Sequence, residues 1–453
     1  MEVKNIPKEV MEVCRCLNNN GYETYVVGGA VRDYYIGRTP KDWDISTSAE
    51  PNVVVSMFDK VVPTGIKYGT VTVHIGNMQL EVTTYRNDGK YSDNRRPDEV
   101  SFAETIEEDL SRRDFRMNAM ALDPLNGRMI DPFGGCINIS NKIINTVGMP
   151  ENRFAEDALR MMRAVRFASQ LNFNLDRSVS RCILRTRRNL ECVSTERIRD
   201  ELLKILASSN PRHGITLLCD VGLMELIIPQ FIRTKGCLQN KKHSFDVFNH
   251  SINVVSALPP DPILRLAGLL HDIGKPDTQV PLGDGNFKFP EHDKLSALYA
   301  EGITKRLKLS NNDVNRVVHL IKYHMRLLNI SKTDCGIRKL IKELGPENVE
   351  EFMLFHRADM FDRPKKQVLL AELEKDYDRI RKVLISNPVI NSSGLVINGH
   401  DIMDHFQIEG GKEVGKMINY AVDVVMKNPE LNTKDQLLKM LGEWMERKDG
   451  NNE

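Results

Sequence analysis

Asp42 and Asp44, separated by Trp43, are residues whose type and spacing could do chemistry. On a strand, residues two apart point to the same face. Two carboxylates on one face repel unless a divalent cation holds them, and hard oxygen ligands favour Mg2+ shared with substrate phosphates. Two such ions, about 4 Å apart, would activate an attacking hydroxyl and stabilise a leaving pyrophosphate. Upstream, Gly28 and Gly29 close the apolar run TYVV and open a helical pattern. Glycines there let backbone N–H groups approach a phosphate, and the helix N-terminus adds positive potential. Arg32 falls on the first or second turn of that helix, placed to reach a polyphosphate. Glu81, in QLEVTTYR, could supply a third carboxylate or be a plain exposed glutamate. Each motif alone is a weak signal. Glycines, helix and carboxylates in order within one 17-residue window, Gly28 to Asp44, are a stronger one.

A second constellation lies in the C-terminal half. LRLAGLLHDIGKPD places His271 and Asp272 at the end of an apolar helix, where both can turn toward one ion. Further candidate ligands are His250, His292, His324 and Asp359, all in predicted helices or at their ends, as a site inside a helical bundle requires. His319 and His324 are five apart and diverge by about 140° on a helix. His324 is therefore taken as the ligand and His319 as a surface or core histidine.

These residues need two kinds of scaffold. WDIST, GTVTVHI and QLEVTTYR have strand character, whereas from Glu151 onward the chain reads as helix after helix, RFAEDALRMMRAVRFASQL and TERIRDELLKILAS among them. The predicted fold is α+β: a head of about 145 residues with a mixed sheet, then an elongated all-α region. Its 453 residues suggest about three domains at roughly 150 residues each. With 63 Lys+Arg against 62 Asp+Glu, the net charge of +1 excludes a protein that coats nucleic acid over its whole surface. Locally the balance differs. Arg153 to His213 carries 13 basic and seven acidic residues, a difference of +6 that suits a phosphate-rich partner or a solvated helical face. The N-terminus has no apolar run of signal-peptide type, and no stretch approaches the roughly 18 apolar residues of a membrane span. Eight scattered cysteines without CxxC units read as reduced thiols of a cytoplasmic protein.

GGAVRD, the DWD pair, GTVTV, EVTTYR, Asn94-Arg95-Arg96-Pro97, EEDLSRRDFRMNAMALDP, EDALRMMRAVRFASQLNF and STERIRDELLKIL together resemble the class II tRNA nucleotidyltransferases. These are the CCA-adding enzymes and their bacterial poly(A) polymerase relatives, within the polymerase-beta-like superfamily. The likeness is dense over about residues 24–206. It implies that Asp42 and Asp44 bind catalytic Mg2+, and that Gly28, Gly29 and Arg32 contact the triphosphate. It also implies that Arg113 binds the nucleotide with Asp114 near the ribose, that Asp157 and Arg160 read the incoming base, and that Arg163 and Arg166 complete the site. The base-reading role has a physical rationale. Asp157 and Arg160 are three apart, so on a helix they share a face, one presenting acceptors and the other donors. Such a pair could mimic a Watson–Crick edge and serve cytosine and adenine alike. One position departs from the family pattern: Arg116 stands where a threonine is usual.

The histidine set resembles the HD phosphohydrolases, which bind one or two divalent ions. The implied organisation is a nucleotidyltransferase head at 1–145, a base-selecting and RNA-binding helical neck at 146–215, an HD-type metal domain at 216–375 and a helical tail at 376–453. The implied activity is addition of CCA to the acceptor end of tRNA from CTP and ATP, with no membrane involved. The alternatives on the same motifs are a CC-only or A-only enzyme, a poly(A) polymerase, and a metal phosphohydrolase with an inactive head.

Overall fold

The computed structural model describes residues 6–63, 65–89, 100–239, 245–329, 333–360, 366–386 and 391–449. The quoted run Asn94–Pro97 lies outside the described residues. The chain divides into two units, 1–232 with 306–308, and 233–305 with 309–453.

The first unit is built on a seven-stranded sheet. Helix α1 (Lys8–Asn19) leads into β1 (Thr24–Val27), whose apolar and β-branched residues suit a buried strand. Gly28 then adopts φ +73°, a turn closed to most residues, and α2 (Gly29–Ile36) begins at once. The strands β2 (Asp44–Thr47), β3 (Val61–Val62), β4 (Thr70–Ile75) and β5 (Met78–Thr84) follow. With the short strands Ala121–Leu122 and Met129–Ile130, the spatial order is β3-β4-β5-β2-β1, then 121–122, then 129–130. β2 pairs parallel to β5 and the other neighbours are antiparallel, so the sheet is mixed, as the sequence implied. The register sets Val27 opposite Asp44 and Asp44 opposite Glu81. One sheet edge thus carries the glycine turn and two carboxylates side by side.

Helices complete the unit. Ile106–Ser111 is capped by Thr105, which accepts from the Glu108 N–H, while Glu108 accepts from the Glu104 N–H. The predicted long helix over EDALRMMRAVRF is in fact two, Pro150–Glu156 and Leu159–Leu171. Asp157 between them is extended (φ −148°, ψ 106°), and its Oδ1 accepts from the Leu159 N–H at 3.0 Å. The carboxylate thereby caps the second helix instead of riding on the first.

Among its described residues the second unit is helical but for the hairpin Val280–Gly283/Asn286–Lys288, which the all-α expectation did not include. In the first unit a two-residue parallel pair, Ile143–Ile144 with Asn174–Leu175, likewise interrupts the helices. Helix Pro262–Leu270 starts cleanly, because Asp261 accepts from two backbone N–H groups and Pro262 needs no partner. It packs closely on helix Val247–Ala257: a Cβ on Gly268 would stand 2.7 Å from Leu258 Cδ1. Helices 334–385 share an apolar core around Phe352, Tyr377 and Ile380, and those from 399 onward share another around Ile402, Met417 and Leu441. No helix among the described residues is long and apolar enough to cross a membrane. The eight cysteines are all free.

Candidate active site and metal centre

Eleven residues that the sequence singled out in the N-terminal half line one cavity of about 590 Å3 in the first unit: Gly28, Gly29, Arg32, Asp42, Asp44, Arg113, Asp114, Asp157, Arg160, Arg163 and Arg166; Glu81, the candidate third carboxylate, pairs beside Asp44 in the sheet but is not in that lining. An adjoining cavity of about 710 Å3 shares Gly29, Arg32, Asp42, Asp44 and Arg166 with it, but not Asp157 or Arg160. The two aspartates therefore stand where two chambers meet, and Asp157 and Arg160 belong to the first alone.

At the carboxylates, β2 begins at Asp44, so Asp42 sits in the preceding loop and not on the strand. Trp43 between them is buried, which leaves both aspartates on the cavity side. Burial raises the Asp44 carboxyl above its ordinary value; Arg113 opposes this, and Glu81 and Asp42 add to it. Acids that raise one another in this way are a donor set suited to a hard divalent cation.

The phosphate side is cationic and tightly held. Arg32 donates through Nη1 to Asn118 Oδ1 at 2.8 Å and through Nε to Asp33 at 2.9 Å, and its guanidinium lies 5.1 Å from the Phe167 ring centre. Asn118 hands the contact on, donating to Asp114 Oδ1 at 3.1 Å. Burial opposes charge on Asp114, but Arg163 and Arg160 outweigh it and hold its carboxyl down at about 2. Arg163 Nε donates to Asp114 Oδ2 at 2.9 Å. Arg113 is fixed by Asp109, a fully buried carboxylate 3.2 Å from its Nη2. A Cβ at Gly28 would come within 3.0 Å of Arg113 Nη1. Arg166, lowered to about 10 by burial, pairs with Glu201 at 3.0 Å.

The base-reading pair differs from its expected form. Asp157 and Arg160 do not share one helix, because the chain is extended at Asp157. Nor do their side chains pair with each other. Arg197 grips Asp157 in a fork, Nη2 to Oδ2 at 2.7 Å and Nη1 to Oδ1 at 3.3 Å. Arg160 Nη1 donates to Glu156 and to the Arg153 carbonyl. Both side chains still face the same cavity. Sequence reasoning missed Arg197, Asn118, Asp109 and Phe167. Arg197 reaches Asp157 across 40 residues and Asn118 reaches Arg32 across 86, so spacing carries no trace of those contacts, whereas Asp109 stands only three and four residues before Arg112 and Arg113.

In the second unit, the six predicted His and Asp residues converge. His250 Nε2 lies 3.0 Å from Asp359 Oδ1 and 3.2 Å from His271 Nε2. Asp272 Oδ2 is 3.1 Å from His271 Nε2, and its Oδ1 is 3.4 Å from His292 Nε2 and 3.7 Å from His324 Nε2. All six are buried. The Nδ1 atoms of His271, His292 and His324 bond to the carbonyls of Gly268, Phe289 and Ile321, which orients each Nε2 inward. Asp272 Oδ1, His292 Nε2 and His324 Nε2 are buried with no hydrogen-bond partner. Burial lowers His292, and pulls His324 down to about 3, so both rings are neutral. Burial also opposes charge on His271, but Asp272 and Asp359 outweigh it and raise that ring to about 10. His250, His271 and Asp272 form one close triplet and Asp272, His292 and His324 another, and such imidazole and carboxylate sets fit a divalent ion. His319 is not in this cluster; its ring centre lies 4.8 Å from that of Tyr323, at a tilt of 57°. Lys275 is an addition, its Nζ 2.6 Å from Asp272 Oδ2.

A mixed-sheet head with a carboxylate pair beside a glycine turn, followed by a histidine-aspartate helical unit, defines a nucleotidyltransferase joined to an HD domain. Family models agree: the poly A polymerase head domain matches 24–145, the probable RNA and SrmB-binding site of polymerase A matches 172–234, and the HD domain matches 242–364. The chain is 35% identical over 432 residues to the CCA-adding enzyme of Anoxybacillus flavithermus, covering 95% of each. It is 30% identical over 455 residues to that of Ligilactobacillus salivarius, covering 99% of this chain and all of the other. The crystal structure of the Bacillus stearothermophilus CCA-adding enzyme in complex with CTP is similar over 98% of both chains, with a TM-score of 0.73 and 29% identity. The chain belongs to the CCA-adding enzyme family.

Proposed function

We propose that this chain is a tRNA nucleotidyltransferase that adds or repairs the 3′-terminal CCA of tRNA from CTP and ATP, without a nucleic-acid template, releasing pyrophosphate. The observation that carries this reading is the convergence of eleven chemically matched residues on one cavity whose carboxylates also face a second chamber. A transfer reaction needs two substrates to meet at such a point. The nucleotide takes the chamber with Asp157 and Arg160, and the RNA 3′-hydroxyl meets its α-phosphorus at Asp42 and Asp44. The new P–O bond forms as the bond to pyrophosphate breaks. Mg2+ held by Asp42 and Asp44 supplies charge neutralisation and a lowered hydroxyl pKa when bound. Arg32 and the Gly28–Gly29 backbone hold the triphosphate, and Arg113 and Asp114 hold the rest of the nucleotide.

Base choice follows from the Asp157 fork. Three of roughly four lone-pair positions on its carboxylate are taken, two by Arg197 and one by the Leu159 N–H, leaving about one for an exocyclic amino donor. Cytosine and adenine offer that donor. Uracil offers a carbonyl in its place and is rejected. Arg163 and Arg166 close the site.

On this reading the segments 1–145, 146–215, 216–375 and 376–453 serve as catalytic head, base-selecting neck, metal domain and tail, in a cytoplasmic enzyme. His250, His271, Asp272, His292, His324 and Asp359 would hold one or two divalent ions that polarise a phosphoryl oxygen for hydrolysis. Lys275 steadies Asp272 beside them. The test of the head is Asp44→Ala: nucleotide addition should vanish while thermal unfolding is unchanged. Addition at the wild-type rate would remove the carboxylates from the mechanism.

A further inference from the structure

The first unit contains another cavity, of about 510 Å3, that shares no residue with the nucleotide cavity. One wall is the helix Arg177–Thr186, through Ser178, Arg181, Leu184 and Arg185; the other is Arg116 with the segment Asn145–Glu151. The turn Arg116–Asn118 separates the two sites, with Asn118 facing the nucleotide and Arg116 facing this cavity. Arg116 is the position at which the chain departs from the pattern that the sequence resemblance implies. Its Nε donates to the Thr146 carbonyl at 3.0 Å, which anchors the guanidinium at the cavity wall.

The lining suits a nucleic-acid strand. Arg181 and Arg185 line it four residues apart, on one helix face with about 6 Å of rise between them, and Arg177, one step before them, continues that stripe beyond the lining. Among the described residues neither Arg116 nor Arg181 has a carboxylate partner, and Arg185 pairs with Glu151 in a largely exposed contact. Met149 and Leu184 are 63% and 45% exposed at the same place, apolar surfaces against which a base can lie. The helix belongs to the stretch matched by an RNA-binding family model, 172–234, whereas Arg116 and Asn145–Glu151 lie outside it.

We propose that this cavity is an RNA-strand site of the tRNA substrate, in which Arg116 and Arg181 each meet a backbone phosphate while Met149 and Leu184 face a base. The proposal rests on the reading of the chain as a tRNA-extending enzyme. It assigns Arg116 a purpose on the far side of its turn from the chemistry, and it makes the first 145 residues contribute to RNA binding as well as to catalysis.

The test is binding of fluorescent tRNA by anisotropy across a KCl series, for wild type, the double variant R116T/R181A and the charge-keeping R116K/R181K. Each phosphate contact on a single strand contributes about 0.7 to the slope of log affinity against log salt, so the alanine-threonine variant should lose about 1.4. The lysine variant should keep the wild-type slope, and the KM for CTP should be unchanged in both. An unaltered slope in R116T/R181A would overturn the proposal, as would a CTP KM that rises in step with the loss of tRNA affinity. A wild-type protein that binds tRNA but adds no nucleotide would refute the activity, and the slopes would still decide the cavity.

Discussion

Replacing Arg197 with alanine tests how the site selects a base. Arg197 makes two hydrogen bonds to Asp157, at 2.7 and 3.3 Å, and Asp157 is 8% exposed. Without the fork, Asp157 keeps the Leu159 N–H and has Arg160 within reach on the same cavity wall. A carboxylate turned toward Arg160 no longer presents its spare acceptor to the base. A buried polar group left without its partner costs about 1–3 kcal/mol. At 1.4 kcal/mol per tenfold, that corresponds to roughly a 5- to 150-fold loss of preference for CTP over UTP. The assay is the ratio of kcat/KM values for CTP and UTP on tRNA ending at the discriminator base, beside Asp157→Asn as a reference. If Arg197→Ala keeps the wild-type ratio while Asp157→Asn loses it, the fork does not set base choice.

Three further outcomes follow from the geometry. Gly28→Ala should cut nucleotide addition sharply, because φ is +73° there and the new Cβ would crowd Arg113 Nη1 at 3.0 Å; near wild-type turnover would show that the turn tolerates it. Asp114, held at about 2 in the fold against an ordinary 3.8, contributes stability that is fully present above about pH 4 and is lost as pH falls toward 2. Asp114→Asn should accordingly flatten acid unfolding over that range, measured by tryptophan fluorescence. Removal of divalent ions with a chelator should lower the melting temperature of wild type but not of a His324→Ala variant; equal shifts in both would place the stabilising ion elsewhere.

Local order in the chain was the legible part. β1, Gly28, α2 and the Asp pair follow one another within a few residues, so strand propensity, a glycine turn and polar spacing were enough to group them. The six metal-type residues were legible by residue type and by their places in helices or at helix ends, although what brings each within 4 Å of another is the packing of five helices. The break at Asp157 was not legible. AEDALR has neither glycine nor proline, and the extended backbone is held by Arg197 from 40 residues away. The same holds for Asp109, an acid in an acidic run, EEDL, distinguished only by its burial beneath Arg112 and Arg113. Arg116 read as a defect in a motif because its side chain leaves the motif's site for the other side of the turn.

The most direct test of the account is extension of three tRNA substrates, ending at the discriminator base, at C and at CC, each offered CTP, ATP or both with Mg2+. With both nucleotides a CCA-adding enzyme puts C, C and then A on the first, CA on the second and A alone on the third, with no further growth. Addition of only CC or only A would make the enzyme a partial one, and long A tails would make it a poly(A) polymerase. No extension, with phosphate released from nucleotides, would contradict the central claim.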